Sequence, residues 1–263
     1  MGGVAEYFAE PRSIKEFSYL IKWANLNKQR CQIIGAGSNL LINNIFIKGL
    51  VVCTKKLKSL KIEPYSGIVE AEAGVMLPTL SNSLAKNGLQ GGEWAVGIPG
   101  TLGGAIYMNA GTGNLSLAKN LISVKVINNK TLEKLEIEKK DINFEYRFSS
   151  FQRNDLTIIS ARLHFEPNGN LEKLIQTTKN NLKLKTETQP YHQPSFGSVF
   201  KNPENNYAAK LIDDMGLKGF KIGGAEISTM HSNFIINTSS ASSKDIYELI
   251  TVIQQKVLQN KGI

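Results

Sequence analysis

The most glycine-rich stretch of the chain is the segment 91–111, in which seven residues are glycine. Four apolar residues, Ile98, Leu102, Ile106 and Met108, are interspersed among them. So many glycines are unfavourable in a helix or strand, and the apolar side chains argue against a flexible linker. Glycine lets backbone N–H groups approach a ligand closely, and such groups bind phosphate oxygens. The segment therefore predicts a site for a large phosphate-bearing cofactor, with a turn between core strands as the alternative.

A second candidate phosphate-binding loop, Gly35–Leu41, follows the apolar stretch Gln32–Ile34. A strand, Gly-x-Gly and then hydroxyl and amide side chains, here Ser38 and Asn39, are typical of a loop that holds a pyrophosphate. The dinucleotide fingerprint needs a third glycine where this chain has Leu40, and no helical pattern follows, so we reject a Rossmann fold. The sequence also lacks the P-loop motif. Two glycine sites on one chain suggest one extended cofactor that spans both.

Arg147, one of five arginines in the chain, lies between aromatic residues in the sequence Tyr146-Arg147-Phe148. A guanidinium group stays protonated at working pH, so a partly buried arginine needs an anion or another hydrogen-bond acceptor. Such a group could stabilise a developing enolate or carboxylate. The alternative is a guanidinium that stacks on aromatic rings at the surface.

A third distinctive segment, 189–203, contains three prolines that restrict its backbone. Within it, Gly197-Ser198 presents a hydroxyl, and Lys201-Asn202 adds a cation and an amide. A positioned serine can donate a proton if nearby cations stabilise the alkoxide that remains. The sequence has no Gly-x-Ser-x-Gly motif and no evident base partner, which disfavours a serine hydrolase. The alternative is a structured loop without a catalytic role.

A fourth segment, 223–237, places polar residues before an apolar stretch. His231 and Asn233 alternate, so in an extended chain both would face one side. Glu226 is a further polar candidate, although in isolation an ion pair with a lysine explains it better.

Composition limits the classes of protein to which the chain can belong. Its 263 residues, 41% hydrophobic and 20% charged, suit one large or two modest globular domains. The sequence lacks an apolar run of about 18 residues, so we expect no membrane span. The start of the sequence does not resemble a signal peptide. The two cysteines, Cys31 and Cys53, lie in or beside apolar stretches. We therefore expect free thiols and a cytoplasmic location.

The net charge of +9 raises nucleic-acid binding as a hypothesis. The excess is almost entirely lysine, spread along the chain without a long basic run, so we expect no nucleic-acid partner. A diffusely positive surface suits an anionic small substrate. His164, His192 and His231 are scattered, and no Cys/His cluster has metal-ligand spacing, so we predict no metal site.

The pattern of elements predicts an α+β protein with a domain boundary near Glu166. Ser13, with Glu16 three residues later, forms a capping-box sequence at the start of an amphipathic helix. A second helix is expected to begin near Pro78 and to end at Gly88. Further helices are expected near 171–182, 208–215 and 246–257, and strands near 31–34, 50–53, 68–73, 122–127, 156–165, 227 and 234–236.

With these segments in order, the chain resembles the UDP-N-acetylenolpyruvoylglucosamine reductases (UDP-N-acetylmuramate dehydrogenases) of bacterial cell-wall synthesis over essentially its whole length. Pro-Gly-Thr-x-Gly-Gly, here 99–104, is shared by many flavoproteins of the same cofactor fold. Tyr146-Arg147 and Gly197-Ser198-Val199-Phe200-Lys201-Asn202-Pro203 are far more specific. The other matching motifs are Gly2-Gly3-Val4-Ala5, Gly35-Ala36-Gly37-Ser38-Asn39-Leu40-Leu41, Met108-Asn109-Ala110-Gly111 and Gly223-Gly224-Ala225-Glu226.

The resemblance implies a two-part FAD-binding domain of the PCMH or vanillyl-alcohol-oxidase type at 1–165, with subdomains at about 1–56 and 57–165. A smaller α+β substrate-binding domain would follow at 166–263. FAD would be the cofactor, NADPH the reducing co-substrate and UDP-N-acetylglucosamine enolpyruvate the substrate, in a protein that we expect to be a monomer. Flavin N5 would deliver hydride to the vinyl carbon, Ser198 would protonate the adjacent carbon, and Arg147 would stabilise the enolate-like intermediate.

The resemblance also implies the residues that bind each ligand. Those expected at FAD are Gly35, Ala36, Gly37, Ser38, Asn39, Leu40, Gly97, Ile98, Pro99, Gly100, Thr101, Gly103, Gly104, Asn109 and Ala110. Those expected on the substrate side are Tyr146, Gln189, Lys201, Asn202, Glu226 and His231.

Three departures from the family pattern bear on activity. The family has a catalytic glutamate in a strand after its last helix, whereas this sequence stops at Ile263, and it usually has a first strand before the position of Gly2. Lys185 stands where an arginine is usual. The short stretch between Ala161 and Gln189 resembles the compact subtype of the family. From the missing strand and glutamate we expect a sequence trimmed at both ends, and impaired reduction if the chain does end there. Two other classes stay open: another flavin oxidoreductase of this fold, and a non-catalytic FAD-binding remnant.

Overall fold

A computed structural model describes residues 3–43 and 46–263, so Gly2 of the first family motif lies outside the described residues. The chain forms two compact units. The larger comprises Ala5–Gly37 and Ile47–Leu182, and the smaller consists mainly of Lys183–Ile263 with the described part of the segment 38–46. This division falls after Leu182, inside a helix, rather than at the expected boundary near Glu166. The expected domain ranges stay predictions.

The described residues of the larger unit form twelve strands, three complete helices and the first part of a fourth. Its strands are β1 (Ala5–Ala9), β2 (Cys31–Ile34), β3 (Ile47–Cys53), β4 (Leu60–Glu63), β5 (Ile68–Glu72), β6 (Gly111–Thr112), β7 (Leu115–Ser116), β8 (Leu121–Asn128), β9 (Lys134–Glu138), β10 (Phe144–Glu145), β11 (Phe148–Ser149) and β12 (Leu156–His164). Its helices are α1 (Ile14–Leu26), α2 (Leu77–Lys86), α3 (Leu102–Tyr107) and the first part of α4 (Leu171–Thr188).

A three-stranded parallel sheet, in the order β1-β3-β2, forms the first part of the larger unit. Helix α1 buries Phe17 and Ile21 against it. Ser13 caps α1 as predicted, since its hydroxyl accepts from the Glu16 N–H at 3.1 Å. The Glu16 carboxylate accepts from the Arg12 N–H at 2.8 Å instead of closing the box on Ser13. The capping sequence therefore fixes where α1 begins.

A five-stranded antiparallel sheet, in the order β4-β5-β12-β8-β9, forms the centre of the larger unit. Its central strands bury both faces. Val124 and Val126 pack with α2 and α3, whereas Ile127 and Ile159 pack with α1. The strands predicted at 122–127 and 156–165 are confirmed as β8 and β12.

The smaller unit is built on a four-stranded antiparallel sheet in the order β13-β16-β15-β14. Helix α6 buries Ile246, Leu249 and Ile253 in the same core as Ile227 and Ile235 of the sheet. The elements are β13 (Ser195–Ser198), α5 (Ala208–Asp214), β14 (Lys221–Ile222), β15 (Ala225–Ile227), β16 (Phe234–Asn237) and α6 (Ser243–Lys261). No helix of the described residues combines the length and apolar character needed to cross a membrane.

Candidate functional site

The two glycine-rich segments meet in the larger unit. A Cβ atom on Gly35 would overlap the hydroxyl oxygen of Thr101, so only glycine allows this close approach. Thr101 is buried and caps α3 by accepting from the Gly104 N–H at 3.4 Å. The two segments are far apart in the sequence but in direct contact in the fold. A single cofactor that binds both segments would need this contact.

The second glycine segment is fixed to the core by backbone hydrogen bonds. The Leu77 N–H donates to the Gly100 carbonyl at 2.9 Å, and the Gly103 N–H donates to the Ala73 carbonyl at 2.8 Å. A Cβ on Gly103 would lie 2.9 Å from the Ala73 Cβ, closer than real Cβ atoms approach. The segment is thus held rigidly from its buried side.

Several backbone donors in both segments remain available to a ligand. Within the described residues, no intramolecular acceptor is found for the N–H groups of Ala36 and Gly37, or for those of Gly100 and Thr101. Backbone N–H groups in glycine-rich loops bind phosphate oxygens, and the pyrophosphate of FAD supplies such acceptors. The donor set therefore fits FAD.

Asn109 follows α3 with an unusual backbone and a free acceptor. Its φ angle is 43°, in the left-handed region, and its side chain is buried. The Nδ2 amide donates to the Glu145 carbonyl at 2.9 Å, whereas Oδ1 has no partner among the described residues although it is buried. A buried amide oxygen without a donor is costly, so this atom suits an N–H group of a bound cofactor. The neighbouring Ala110 donates its N–H to the Ala105 carbonyl at 2.8 Å and packs against the core.

Arg147 lies in the two-residue turn of the hairpin formed by β10 and β11. Its φ angle is 55°, at a turn position where glycine or asparagine is usual. The guanidinium donates to the carbonyls of Gly111 at 2.8 Å and Asn109 at 3.5 Å, and lies 4.8 Å from the Tyr146 ring centroid. The stacking expected as the alternative is therefore present, together with bonds to the backbone.

The charge of Arg147 has only neutral acceptors among the described residues. Its contacts are two carbonyls and an aromatic ring, and no carboxylate forms an ion pair with it. The residue is half-buried. A half-buried guanidinium without a carboxylate partner can attract an anionic ligand.

Two residues beside Arg147 were not singled out by the sequence analysis. The buried Ser149 hydroxyl donates to the Tyr107 carbonyl at 2.8 Å. The Gln152 amide donates to the same carbonyl at 2.8 Å and to the Arg147 carbonyl at 3.4 Å. Both residues join the hairpin to the end of α3, and no sequence motif indicated this role because the partners are far apart along the chain.

Ser198, in the smaller unit, ends strand β13 and is exposed. The register of β13 shifts between Ser195, opposite Ile236, and Ser198, opposite Phe234. Gly197, with a φ angle of 82°, lies in this irregular stretch. Within the described residues the Ser198 hydroxyl has no hydrogen-bond partner, so it is available to a ligand.

Asn233 fixes the chain that follows Ser198. Its buried side chain accepts from the Phe200 N–H at 2.9 Å and donates to the Phe200 carbonyl at 3.0 Å, and its own carbonyl accepts from the Val199 N–H at 2.9 Å. Asn39 of the first glycine loop also lies here, since a Cβ on Gly197 would be 3.5 Å from its Oδ1. The structure thus brings two of the predicted motifs, those of Asn39 and Ser198, close together within the smaller unit.

Lys201 and Asn202 border a cavity of about 450 Å³ whose other walls include Leu211 and Ile253. Lys201 is exposed, whereas Asn202 orders the start of α5 because its Oδ1 accepts from the Ala208 N–H at 3.1 Å. The apolar walls do not suit a nucleotide sugar, so the cavity by itself does not indicate the substrate site.

The remaining candidates have structural partners. Glu226 forms an ion pair with Lys221 at 3.1 Å, as its alternative interpretation predicted. His231 accepts from the Asn233 N–H at 3.3 Å, and burial lowers its pKa. His231 and Asn233 were expected to face the same side of an extended chain. This expectation is wrong, because both residues lie in the turn before β16. Gln189 is half-buried just after α4.

Comparisons with known proteins give consistent results for the N-terminal and C-terminal parts of the chain. Residues 5–131 match the FAD binding domain family, and residues 189–263 match the family described as UDP-N-acetylenolpyruvoylglucosamine reductase, C-terminal domain. Curated proteins named UDP-N-acetylenolpyruvoylglucosamine reductase align with the whole chain. The protein from Prochlorococcus marinus subsp. pastoris is 73% identical over 89% of its own length, and one from a Synechococcus species is 45% identical over 88%.

A solved structure supports the same assignment. The UDP-N-acetylenolpyruvylglucosamine reductase from Thermus caldophilus superposes with a TM-score of 0.80 at 30% identity, covering 94% of this chain and 86% of that one. The agreement extends over both the FAD-binding and the C-terminal parts of the sequence. The chain belongs to the UDP-N-acetylenolpyruvoylglucosamine reductase family.

Proposed function

We propose that this protein is an FAD-dependent oxidoreductase that uses NADPH to reduce UDP-N-acetylglucosamine enolpyruvate to UDP-N-acetylmuramate for peptidoglycan synthesis. The observation that carries the proposal is the environment of Arg147, whose half-buried charge meets only carbonyls and a ring. Reduction of an enolpyruvyl ether passes through an anionic, enolate-like species, which such a cation would stabilise.

FAD would be held by the two glycine segments and by Asn109. The free N–H groups of Ala36, Gly37, Gly100 and Thr101 would bind its phosphates, and the orphaned Asn109 Oδ1 would accept a hydrogen bond from it. When bound, the flavin supplies the hydride, taken from NADPH and delivered to the vinyl carbon. The protein itself would bind and orient the reactants, stabilise the negative charge that develops, and donate a proton.

Arg147 would meet the negative charge that develops when hydride reaches the vinyl carbon. Its guanidinium keeps hydrogen atoms to spare after its two carbonyl bonds, because the group carries five donors. The bonds to Asn109 and Gly111 fix where those spare donors lie. The group is thus organised before the charge forms, and little reorganisation is needed.

Ser198 would transfer its hydroxyl proton to the carbon adjacent to the vinyl carbon. The hydroxyl has no partner among the described residues. The backbone that follows Ser198 is held in place by hydrogen bonds between the Asn233 side chain and Phe200. Proton transfer leaves an alkoxide, which must be stabilised and then reprotonated from solvent. Lys201, exposed and three residues along the chain, would supply positive charge.

The other predicted substrate contacts remain proposals of different weight. Tyr146 and Gln189 would contact the substrate directly. Three other residues already have partners within the protein: Asn202, Glu226 and His231. We propose that their main role is to hold the loops around the substrate in place.

The purified protein tests this function through its visible spectrum. We expect a yellow protein that bleaches when NADPH is added without oxygen and recolours when UDP-N-acetylglucosamine enolpyruvate follows. Bleaching without recolouring would instead point to another flavin oxidoreductase or to a lost second half-reaction. A folded protein that never binds FAD would contradict the proposal. The monomeric and cytoplasmic states stay predictions, the first of which light scattering tests.

A further inference from the structure

The position of the Arg147 charge depends on how the β10–β11 hairpin is joined to the segment 107–111. The guanidinium donates to the carbonyls of Asn109 and Gly111, which belong to that segment. The Arg147 backbone belongs to the hairpin. A shift between the two would move the guanidinium away from its acceptors. The structure must therefore fix the hairpin against the segment.

Three side chains make this connection. Asn109 donates to the Glu145 carbonyl at 2.9 Å, and Ser149 donates to the Tyr107 carbonyl at 2.8 Å. Gln152 donates to the Tyr107 carbonyl at 2.8 Å and to the Arg147 carbonyl at 3.4 Å. The same Gln152 nitrogen also lies 3.6 Å from the Met108 Sδ, a weak acceptor in the same segment. Gln152 thus links the segment to the arginine residue itself.

The backbone at Arg147 needs such support. A residue with a side chain at a positive φ angle has a strained backbone, which persists only where its surroundings hold it. Arg147 has a φ angle of 55°. The bond from Gln152 to the Arg147 carbonyl holds the peptide group that immediately follows the strained residue.

We propose that Gln152 is a positioning residue, which holds the Arg147 backbone in its left-handed conformation and so directs the guanidinium at the anionic intermediate. The inference rests on the role proposed above for Arg147. Gln152 itself is assigned no contact with the substrate or the cofactor, so its removal would affect only the step that needs the arginine.

Two variants of the FAD-loaded protein test the proposal, Gln152→Ala and Gln152→Glu. The glutamate keeps the length of the side chain but presents a carboxylate to the two carbonyls. We expect flavin reduction by NADPH at the wild-type rate, and reoxidation by UDP-N-acetylglucosamine enolpyruvate slowed about 10- to 100-fold in both. Asn120→Ala is the matched control, because it also loses an amide-to-carbonyl bond, to His164 at 3.0 Å, in the same unit. This control should change neither rate.

Two further readouts separate positioning from general damage. In a crystal structure of Gln152→Ala, the Arg147 φ angle should leave the left-handed region or the guanidinium should lose its bond to the Gly111 carbonyl. In an Arg147→Ala background, Gln152→Ala should slow reoxidation no further, because the two residues act through one group.

The outcomes distinguish this inference from the function on which it rests. If Arg147→Ala slows reoxidation but Gln152→Ala and Gln152→Glu do not, the positioning role is wrong and the function stands. Equal slowing of both half-reactions in the Gln152 variants would also overturn it. If Arg147→Ala reoxidises at the wild-type rate, the role of the arginine itself fails.

Discussion

Arg147 in the larger unit and Ser198 in the smaller unit, the two groups proposed to act on the substrate, are held by different kinds of contact. The arginine side chain is itself bonded, to the carbonyls of Asn109 and Gly111, and its backbone is strained. The serine hydroxyl is exposed, while the backbone after it is clamped by Asn233.

The difference follows from what each group has to do. A group that stabilises charge works best when its donors are fixed before the charge appears. A proton donor must form and break bonds to its proton, so its hydroxyl should be free while its backbone is held. Fixed side-chain bonds therefore indicate an electrostatic role, whereas a fixed backbone with a free hydroxyl indicates proton transfer.

The largest expected effect concerns the free hydroxyl. Ser198→Ala should slow flavin reoxidation by the enolpyruvyl substrate about 10²- to 10⁴-fold, because the proton donor is lost. Stopped-flow absorbance of the flavin measures this rate, and reduction by NADPH should be unchanged. Ser195→Ala, an exposed serine on the same strand, is the control. Reoxidation of Ser198→Ala at the wild-type rate would show that Ser198 is not the proton donor.

A smaller effect is expected where the two glycine segments touch. Gly35→Ala should lower the free energy of unfolding by about 1–3 kcal/mol and weaken FAD binding, because the new methyl group overlaps the Thr101 hydroxyl. Urea unfolding and FAD titration measure the two effects. Gly104→Ala is the control for stability, since its Cβ would lie at an ordinary 3.5 Å from the same oxygen. Equal stability of the two variants would show that the segments do not press together.

The smallest effect concerns Asp245 and the acid stability of the smaller unit. Hydrogen bonds from the Ser242 N–H, the Ser242 hydroxyl and the Gly224 N–H lower the pKa of the Asp245 carboxyl. Because the pKa is depressed on folding, the stabilisation is present above the unfolded pKa and is lost as the pH falls through the folded one.

Thermal unfolding across the acid range tests the Asp245 prediction. Asp245→Asn should lower the midpoint at neutral pH, and the difference from the wild type should shrink as the pH falls through the acid range. A difference independent of pH would show that the charge of Asp245 does not matter.

The sequence predicted those features that depend on local pattern. The start of α1 follows from Ser13, and the strands β8 and β12 follow from segments rich in valine, isoleucine and leucine. The strand β13 was missed because Ser195, Gly197 and Ser198 are poor strand formers that pair only through the neighbouring β16. Local pattern thus predicts elements that carry their own signal and misses those made by tertiary pairing.

The candidate site shows the same limit. The glycine segments, Arg147 and Ser198 were recognisable by residue type and motif. The role of Gln152 was not, because its acceptor on Tyr107 is 45 residues away in the sequence. The left-handed conformation of Arg147 was also hidden, since arginine gives no indication of a positive φ angle.

The rate of each half-reaction in Arg147→Ala tests most directly whether the half-buried charge stabilises the anionic intermediate. We expect NADPH to reduce the bound flavin at the wild-type rate, and the enolpyruvyl substrate to reoxidise it about 10²- to 10³-fold more slowly. Reoxidation at the wild-type rate would show that the charge of Arg147 plays no part in stabilising that intermediate.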